Sequence, residues 1–250
     1  MLALVATALP ALNDGSAAFY GQALQVSKMN DDNSTAKQVL LSDYVKMTGA
    51  ACLDGTPGAY YIRKGVGSGI NKWYIHHQGG GWCESWDDCL GRSSTRLGSS
   101  SSYAPAMDLK GGYFDATPAE NPMMYNWNVV FMPYCDGGSF SGNNDTVTTY
   151  KGKPLYYRGK RVREAVYDSL LKDHNLGGAT DAVISGCSAG GLATFLHTDQ
   201  WCDALADDTK QTVKCVGMPD SGCALHSRDR MHGRADRREQ LACSQLRCSA

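Results

Sequence analysis

A chain of 250 residues that is 42% apolar and 20% charged, with a formal net charge of −1, has the make-up of an ordinary soluble globular protein of about one domain. The near-zero charge argues against nucleic acid as a partner, since neutralising phosphates takes a basic surface, and no apolar run reaches the length of a bilayer span. Ten cysteines suit an oxidising compartment, where disulfides persist.

In chain order, Met1 to Leu12 reads MLALVATALPAL and is followed by the small residues Gly15-Ser16-Ala17-Ala18. Residues 1–18 are therefore expected to be a signal peptide, with a buried N-terminal strand as the alternative. The Asn-x-Thr triplets at Asn33 and Asn144 are compatible with glycosylation. Tyr60 to Arg63 and Lys72 to His77, rich in aromatic and β-branched residues, read as two strands joined by the flexible turn Gly65-Val66-Gly67-Ser68-Gly69. Gly91 to Gly112 is too polar and broken for core and reads as a long surface excursion. Asn128 to Tyr134 reads as a buried strand with Pro133 near its end.

Val162, Ala165, Val166, Ser169 and Leu170 recur at helical spacing, with Gly177-Gly178 as the expected stop. Asp181 to Ser185 then reads as a strand, Gly191 to Leu205 as a helix and Val213 to Met218 as a further strand. Strands alternating with helices imply a parallel sheet with helical crossovers, so the fold class is α/β. The last stretch, 223–250, holds six arginines and no lysine or aromatic residue, and reads as an atypical Arg-rich tail unable to finish such a sheet.

Between the strand from Asp181 and the helix from Gly191 stands Gly186-Cys187-Ser188-Ala189-Gly190. An ester hydrolase needs an exposed hydroxyl that a base can activate, and a strand-to-helix elbow with glycines on either side lifts Ser188 to its apex. The plain alternative is a tight turn of small residues. A second element, Gln78-Gly79-Gly80-Gly81-Trp82-Cys83, follows the strand ending at His77. Consecutive glycines let backbone amides approach an oxyanion, which makes Gly80, Gly81, Trp82 and Ala189 the candidate oxyanion hole. The absence of a GxGxxG or GxxxxGK pattern argues against a phosphate cradle.

The blocks QGGGWCESWDDCLGRSSTRLGSS, NVVFMPYCDGGSFSGN and GCSAGGLATFLH resemble the pectin acetylesterase and Notum family of carboxylesterases, from about Leu53 to Gly222. The QGGGWC and TRLGSS blocks are more similar to the pectin acetylesterases. The resemblance implies an α/β-hydrolase-like domain over residues 19–222, a mostly parallel sheet with helices on both faces, incomplete at its C-terminus. It further implies a secreted, cell-wall enzyme, expected to be monomeric, that hydrolyses O-acetyl esters of pectin-type polysaccharide without metal or organic cofactor. Ser188 matches the family nucleophile; Gly80, Gly81, Trp82 and Ala189 match the oxyanion region.

In that family the acid and base of the triad follow the nucleophile, beyond the stretch equivalent to Met218 to Gly222, and no residue here can be carried over for either. The chain as written is therefore expected to turn over esters negligibly, and two alternatives stand beside the acetylesterase: a catalytically inactive fragment or glycan-binding remnant, and a Notum-like esterase of fatty-acyl protein. Among substitutes, His76 and His77 fall on opposite strand faces, His197 lies within the helix after the elbow, His174 is expected at the surface, and Asp229-x-x-His232 reads as coincidence. Asp220, at a strand end, is better placed as an acid. Cys83 and Cys89 are close enough to bridge, while Cys187 is expected buried and free. No CxxC or HxxxH pair suggests zinc. Trp82 and Trp86 could wall an apolar or sugar-stacking surface.

Overall fold

The structure, a computed structural model, describes residues 34–209 and 211–222. The expected signal peptide and the Arg-rich tail lie outside the described residues. The elements are β1 (Thr35–Leu40), α1 (Ser42–Thr48), β2 (Ala59–Arg63), β3 (Lys72–His77), α2 (Trp86–Arg92), β4 (Ala106–Asp108), β5 (Asn128–Met132), β6 (Thr148–Tyr150), β7 (Lys153–Leu155), α3 (Gly159–His174), β8 (Asp181–Cys187), α4 (Ala189–Asp208) and β9 (Lys214–Asp220).

Seven strands form one sheet in the order β4-β1-β2-β5-β3-β8-β9. β5, β3, β8 and β9 run parallel, whereas β2, β1 and β4 extend the sheet from β5 in antiparallel pairings. β3 lies between two parallel neighbours and is buried along nearly its whole length, as strands covered on both faces are. Alternation sends Trp73 and Ile75 to the larger core with Val162, Val166 and Leu170 of α3 and Ala193, Trp201 and Leu205 of α4. Tyr74 faces the other way, into a smaller core closed by Leu109, Phe114 and Met124. That second cover comes from the long β4–β5 connection, with a short 3₁₀ turn at Gly112–Phe114.

The helical spacing read in the sequence is the buried face of α3: Val162, Ala165, Val166, Ser169 and Leu170 all point inward. Tyr60 Oη on β2 meets Ser169 Oγ at 2.8 Å, which satisfies both hydroxyls within that core. α3 stops earlier than expected. Asn175 takes a left-handed conformation (φ 60°) and ends the helix, and the glycine pair then falls in a 3₁₀ turn at Leu176–Gly178.

β2 and β3 are consecutive in sequence but not neighbours, because β5 inserts between them. The glycine turn makes room for this. A Cβ on Gly69 would sit 1.9 Å from the carbonyl oxygen of Asn126, and one on Gly65 would sit 2.7 Å from the amide nitrogen of Asn128. Asn128 fastens the crossing: its side-chain amide donates to the carbonyls of Ile70 (2.8 Å) and Lys72 (2.9 Å) and its carbonyl accepts from the Gly65 amide (3.0 Å).

The polar excursion is only partly a surface feature. Ser99 and Ser100 are buried, with the Gly98 carbonyl accepting from the Asp54 amide (3.1 Å) and the Ser100 amide donating to Thr56 Oγ1 (3.0 Å). Polar sequence can be core when its hydrogen bonds close on a neighbouring loop.

Among the described residues disulfides join Cys52 to Cys135, Cys83 to Cys89 and Cys202 to Cys215, with sequence separations of 83, 6 and 13. Cys202–Cys215 fastens α4 to β9, while Cys52–Cys135 closes the largest loop. Loop-closure entropy predicts that removing Cys52–Cys135 by paired Ser substitution lowers stability by about 4–5 kcal/mol, against about 3 kcal/mol for Cys202–Cys215. Guanidinium unfolding under non-reducing conditions would show that ranking, and equal losses would contradict it.

Candidate active site

The elbow is built from close backbone approach. Ser188, exposed at the end of β8, has φ 55° and ψ −118°, a strained conformation for a residue with a side chain. Its amide donates to the Asp220 carbonyl (3.1 Å) at the end of β9, and its carbonyl accepts from the Leu192 amide (3.0 Å) in the first turn of α4. Its hydroxyl does not cap the helix. A Cβ on Gly186 would lie 2.2 Å from the Gly190 oxygen, and one on Gly190 would lie 2.0 Å from the His77 oxygen. Only glycine fits at either place, because the opposing atoms are backbone and cannot swing aside.

The Gln78 to Cys83 loop is seated against this elbow. A Cβ on Gly79 would meet the Cys187 oxygen at 2.2 Å and Ser188 Cβ at 3.1 Å. Gly80 (φ 146°) and Gly81 (φ 68°) then carry the chain through conformations that side chains disfavour. Arg92 Nη2 donates to the Gly80 carbonyl (2.8 Å), and the Cys83 amide to the Gly137 carbonyl (3.1 Å). Among the described residues no acceptor takes a hydrogen bond from the amides of Gly80, Gly81, Trp82 or Ala189. Ala189 is the first residue of α4, so its amide has no intrahelical partner either.

A third segment, Cys135 to Ser141, lies within the NVVFMPYCDGGSFSGN block, to which the sequence assigns no site role, and it braces the other two. Trp82 Nε1 donates to Ser139 Oγ (2.7 Å), and Ser139 Oγ donates to the Ala189 carbonyl (2.7 Å). Ser139 and Phe140 both have positive φ (51° and 57°). The buried Asp136 carboxylate holds that bend by accepting from the amides of Gly138 (3.3 Å) and Phe140 (3.2 Å). Burial pushes its pKa up to about 6 despite those bonds. The sequence signal was the pair of glycines beside an aspartate at the end of a strand.

The histidines are packed rather than poised. His76 and His77 do face opposite cores: His76 stacks on Phe131, and His77 lies edge-on to Phe140 and Trp201. His197 is held between Ser141 Oγ (2.9 Å) and the Ser139 carbonyl. Burial depresses their pKa values to about 4, 3 and 4 for His76, His77 and His197. His174 is half-buried against Tyr60 rather than fully at the surface. The Asp220 carboxylate accepts from Ser221 Oγ (3.0 Å), and it is the main chain of Asp220 that touches Ser188. Among the described residues neither an imidazole nor a carboxylate hydrogen-bonds Ser188 Oγ. Cys187 is buried but, contrary to expectation, disulfide-bonded; spacing to nearby cysteines alone could not reveal that. No cluster of three or more His, Cys, Asp or Glu able to hold a metal occurs among the described residues, and no helix there is long and apolar enough to cross a membrane.

The family model described as Pectinacetylesterase matches residues 29–242. The chain belongs to the pectinacetylesterase family. The match continues past Gly222, where the resemblance read from motifs stopped. Pectin acetylesterase 5 of Arabidopsis thaliana is 40% identical over 189 residues, covering 76% of this chain and 43% of the relative. Pectin acetylesterase 11 of the same plant is 43% identical over 182 residues, covering 72% and 44%. The palmitoleoyl-protein carboxylesterase NOTUM of Homo sapiens is more distant, 30% identical over 187 residues, covering 74% and 36%. The chain thus spans less than half the length of these relatives.

Gly190→Ala, forced onto the His77 carbonyl, should cost about 3 kcal/mol or more, whereas Gly91→Ala in α2 meets nothing within 4 Å and should gain about 0.5–1 kcal/mol. Urea midpoints of the two variants would separate in opposite directions.

The buried imidazoles also set a pH dependence. Unfolded, they take up protons near 6.5; folded, they resist until about 3 to 4, so their contribution is full above 6.5 and is lost as pH falls through that window. Asp136 acts oppositely, its contribution being lost as pH rises from 3.8 through about 6. Three imidazoles outweigh one carboxyl, so the urea midpoint should fall steadily as pH drops from 6.5 to about 4.5. A midpoint flat over that range would contradict the burial of these rings.

Proposed function

We propose that this chain carries the nucleophile and oxyanion elements of a serine carboxylesterase that removes O-acetyl groups from pectin-type cell-wall polysaccharide outside the cell. The observation that carries this reading is Ser188, exposed at a strained strand-to-helix junction with the unpartnered amides of Ala189 and of Gly80 to Trp82 on segments packed against it. Ser188 Oγ would attack the acetyl carbonyl, and those amides would take the charge that develops on its oxygen, favoured further by the N-terminal end of the 20-residue α4. No cofactor enters this chemistry. The disulfides and the plant relatives support an extracellular site of action. Acetylated polysaccharide is preferred over a fatty-acyl protein as substrate because the pectin acetylesterases are about 40% identical and the Notum enzymes about 30%.

A second reading is a glycan-binding remnant without turnover, favoured by the lack of any imidazole at Ser188 Oγ among the described residues. His226 and His232 lie outside them. With no base at Ser188 Oγ among the described residues the rate expected is low, so the decisive measurement is its dependence on Ser188. Acetate release from acetylated pectin should fall by about tenfold or more in Ser188→Ala if the serine is activated, since a nucleophile acting without its base contributes little. Release that is equal in the two proteins would sink the esterase reading for this chain and leave the binding remnant.

A further inference from the structure

Trp86 opens α2 and is 52% exposed. Trp and Tyr are enriched at recognition surfaces, where an apolar ring face meets a partner while the polar end stays in water. Its ring lies nearly parallel to that of Tyr150 (centroids 6.1 Å apart, 27° between planes) and edge-on to Tyr157 (6.1 Å, 71°). Tyr150 ends β6, and the β6–β7 hairpin is fastened to α2 by the ion pair of Lys151 with Asp87, the Lys151 ammonium lying 5.3 Å above the Tyr150 ring. On the other side the Cys83–Cys89 bridge ties α2 to the loop that abuts Ser188. The platform is thus preformed. An open cavity of about 460 Å³ adjoins it, lined by Cys83, Glu84, Ser85, Trp86, Cys89 and Tyr157.

We propose that Trp86, flanked by Tyr157 and backed by Tyr150, is a stacking subsite for a pyranose ring of the polysaccharide whose ester is presented at Ser188. This rests on the polysaccharide reading of the function. The chemistry of the surface selects the occupant. Its floor is one indole wide and flat, and its rim is polar, with exposed Glu84, Ser85, Asp87 and Lys151. A pyranose matches that pattern, having C–H groups on its face and hydroxyls around its edge, whereas a protein anchor or a lipid surface would need a broader apolar field than Trp86 and the partly exposed Trp82 on the adjoining loop provide. The place fits as well: Cys83, which the disulfide joins to α2, directly follows Trp82, whose indole is bonded through Ser139 to the first residue of α4. A sugar held on Trp86 would sit along the loop that carries the candidate oxyanion donors, so the site would recognise the glycan beside the acetylated unit.

The test is binding, which needs no turnover. The full chain is titrated with a short acetylated oligogalacturonide by calorimetry, comparing wild type, Trp86→Ala and Trp86→Tyr. Trp86→Ala is expected to weaken binding by about tenfold or more and Trp86→Tyr to recover most of it, with the far-ultraviolet circular dichroism of all three proteins the same. Equal affinity in wild type and Trp86→Ala, or no saccharide binding by wild type, would overturn the subsite. The Ser188→Ala comparison on acetylated pectin separates the two ideas. Saccharide binding that is indifferent to Trp86, with Ser188-dependent release intact, refutes the platform alone. Trp86-dependent binding with release indifferent to Ser188 supports the platform and refutes only the esterase.

Discussion

The molecule is organised around one contact, the meeting of the end of β3 with the elbow after β8. The His77 carbonyl occupies the space that a side chain on Gly190 would need, and the Cys187 carbonyl occupies the space that one on Gly79 would need. Two parallel neighbours, paired in register from Lys72 with Asp181 to His77 with Gly186, deliver their last residues to the same level, and glycine is what lets both chains turn away there without collision. Everything proposed for the site inherits its position from that contact: Ser188 because β8 must reverse into α4 at this point, and the loop from Gly79 to Trp82 because β3 ends against it.

The strain at Ser188 is sustained by its surroundings. Positive φ at a residue with a side chain costs on the order of 1–3 kcal/mol and persists only when the neighbours over-determine it. Here the Asp220 carbonyl holds the Ser188 amide, the first turn of α4 holds its carbonyl, and the chain Trp82 to Ser139 to Ala189 ties that turn to two loops from other parts of the sheet. Asp136 serves the same end one step further out, since the bend through Ser139 and Phe140 is itself strained and needs the carboxylate to hold its amides. A buried carboxyl with a raised pKa is in this setting a structural device, anchored at the start of α3, where a Cβ on Gly159 would run into it at 2.0 Å.

How much of this was legible in the sequence follows from the range of each interaction. β3, β8, α3, α4 and the strand character of β2 and β5 were visible because burial on one or both faces writes itself into the residues, whereas β9 was legible from its place after a helix although its residues are exposed or half-buried. β1, α1 and the β6–β7 hairpin were not: their residues are largely exposed or alternate weakly, and they form because a partner edge or helix is nearby. The insertion of β5 between β2 and β3 could not be read either, since Gly65 and Gly69 look like any flexible turn until the Asn126 to Asn128 backbone is seen lying in the space they leave. Of the site, the serine and the glycine loop were legible as motifs, and the Asp136 bend left a local trace in an aspartate before two glycines, while the bracing by Ser139 depends on contacts across 50 or more residues that no local pattern records.

The carboxyl ends of adjacent parallel strands are where open α/β sheets place their chemistry, and His77, Cys187 and Asp220 stand at three such ends, with Cys187 in register with Asp220. Yet the hydrogen bonds these side chains make serve the fold. The His77 Nδ1 is bonded to the Ser185 carbonyl at 2.9 Å inside the core, and Asp220 offers Ser188 its main-chain oxygen rather than its carboxylate. Converting His77 into a general base would mean taking it out of an apolar site that holds its pKa near 3, far below the range in which an imidazole accepts a proton usefully at neutral pH. The same holds for His76 and His197. Burial that makes these rings good scaffolding makes them poor catalysts, so none of the three is fit to activate Ser188, which stands exposed at the elbow while they lie inside the cores on either side of the sheet.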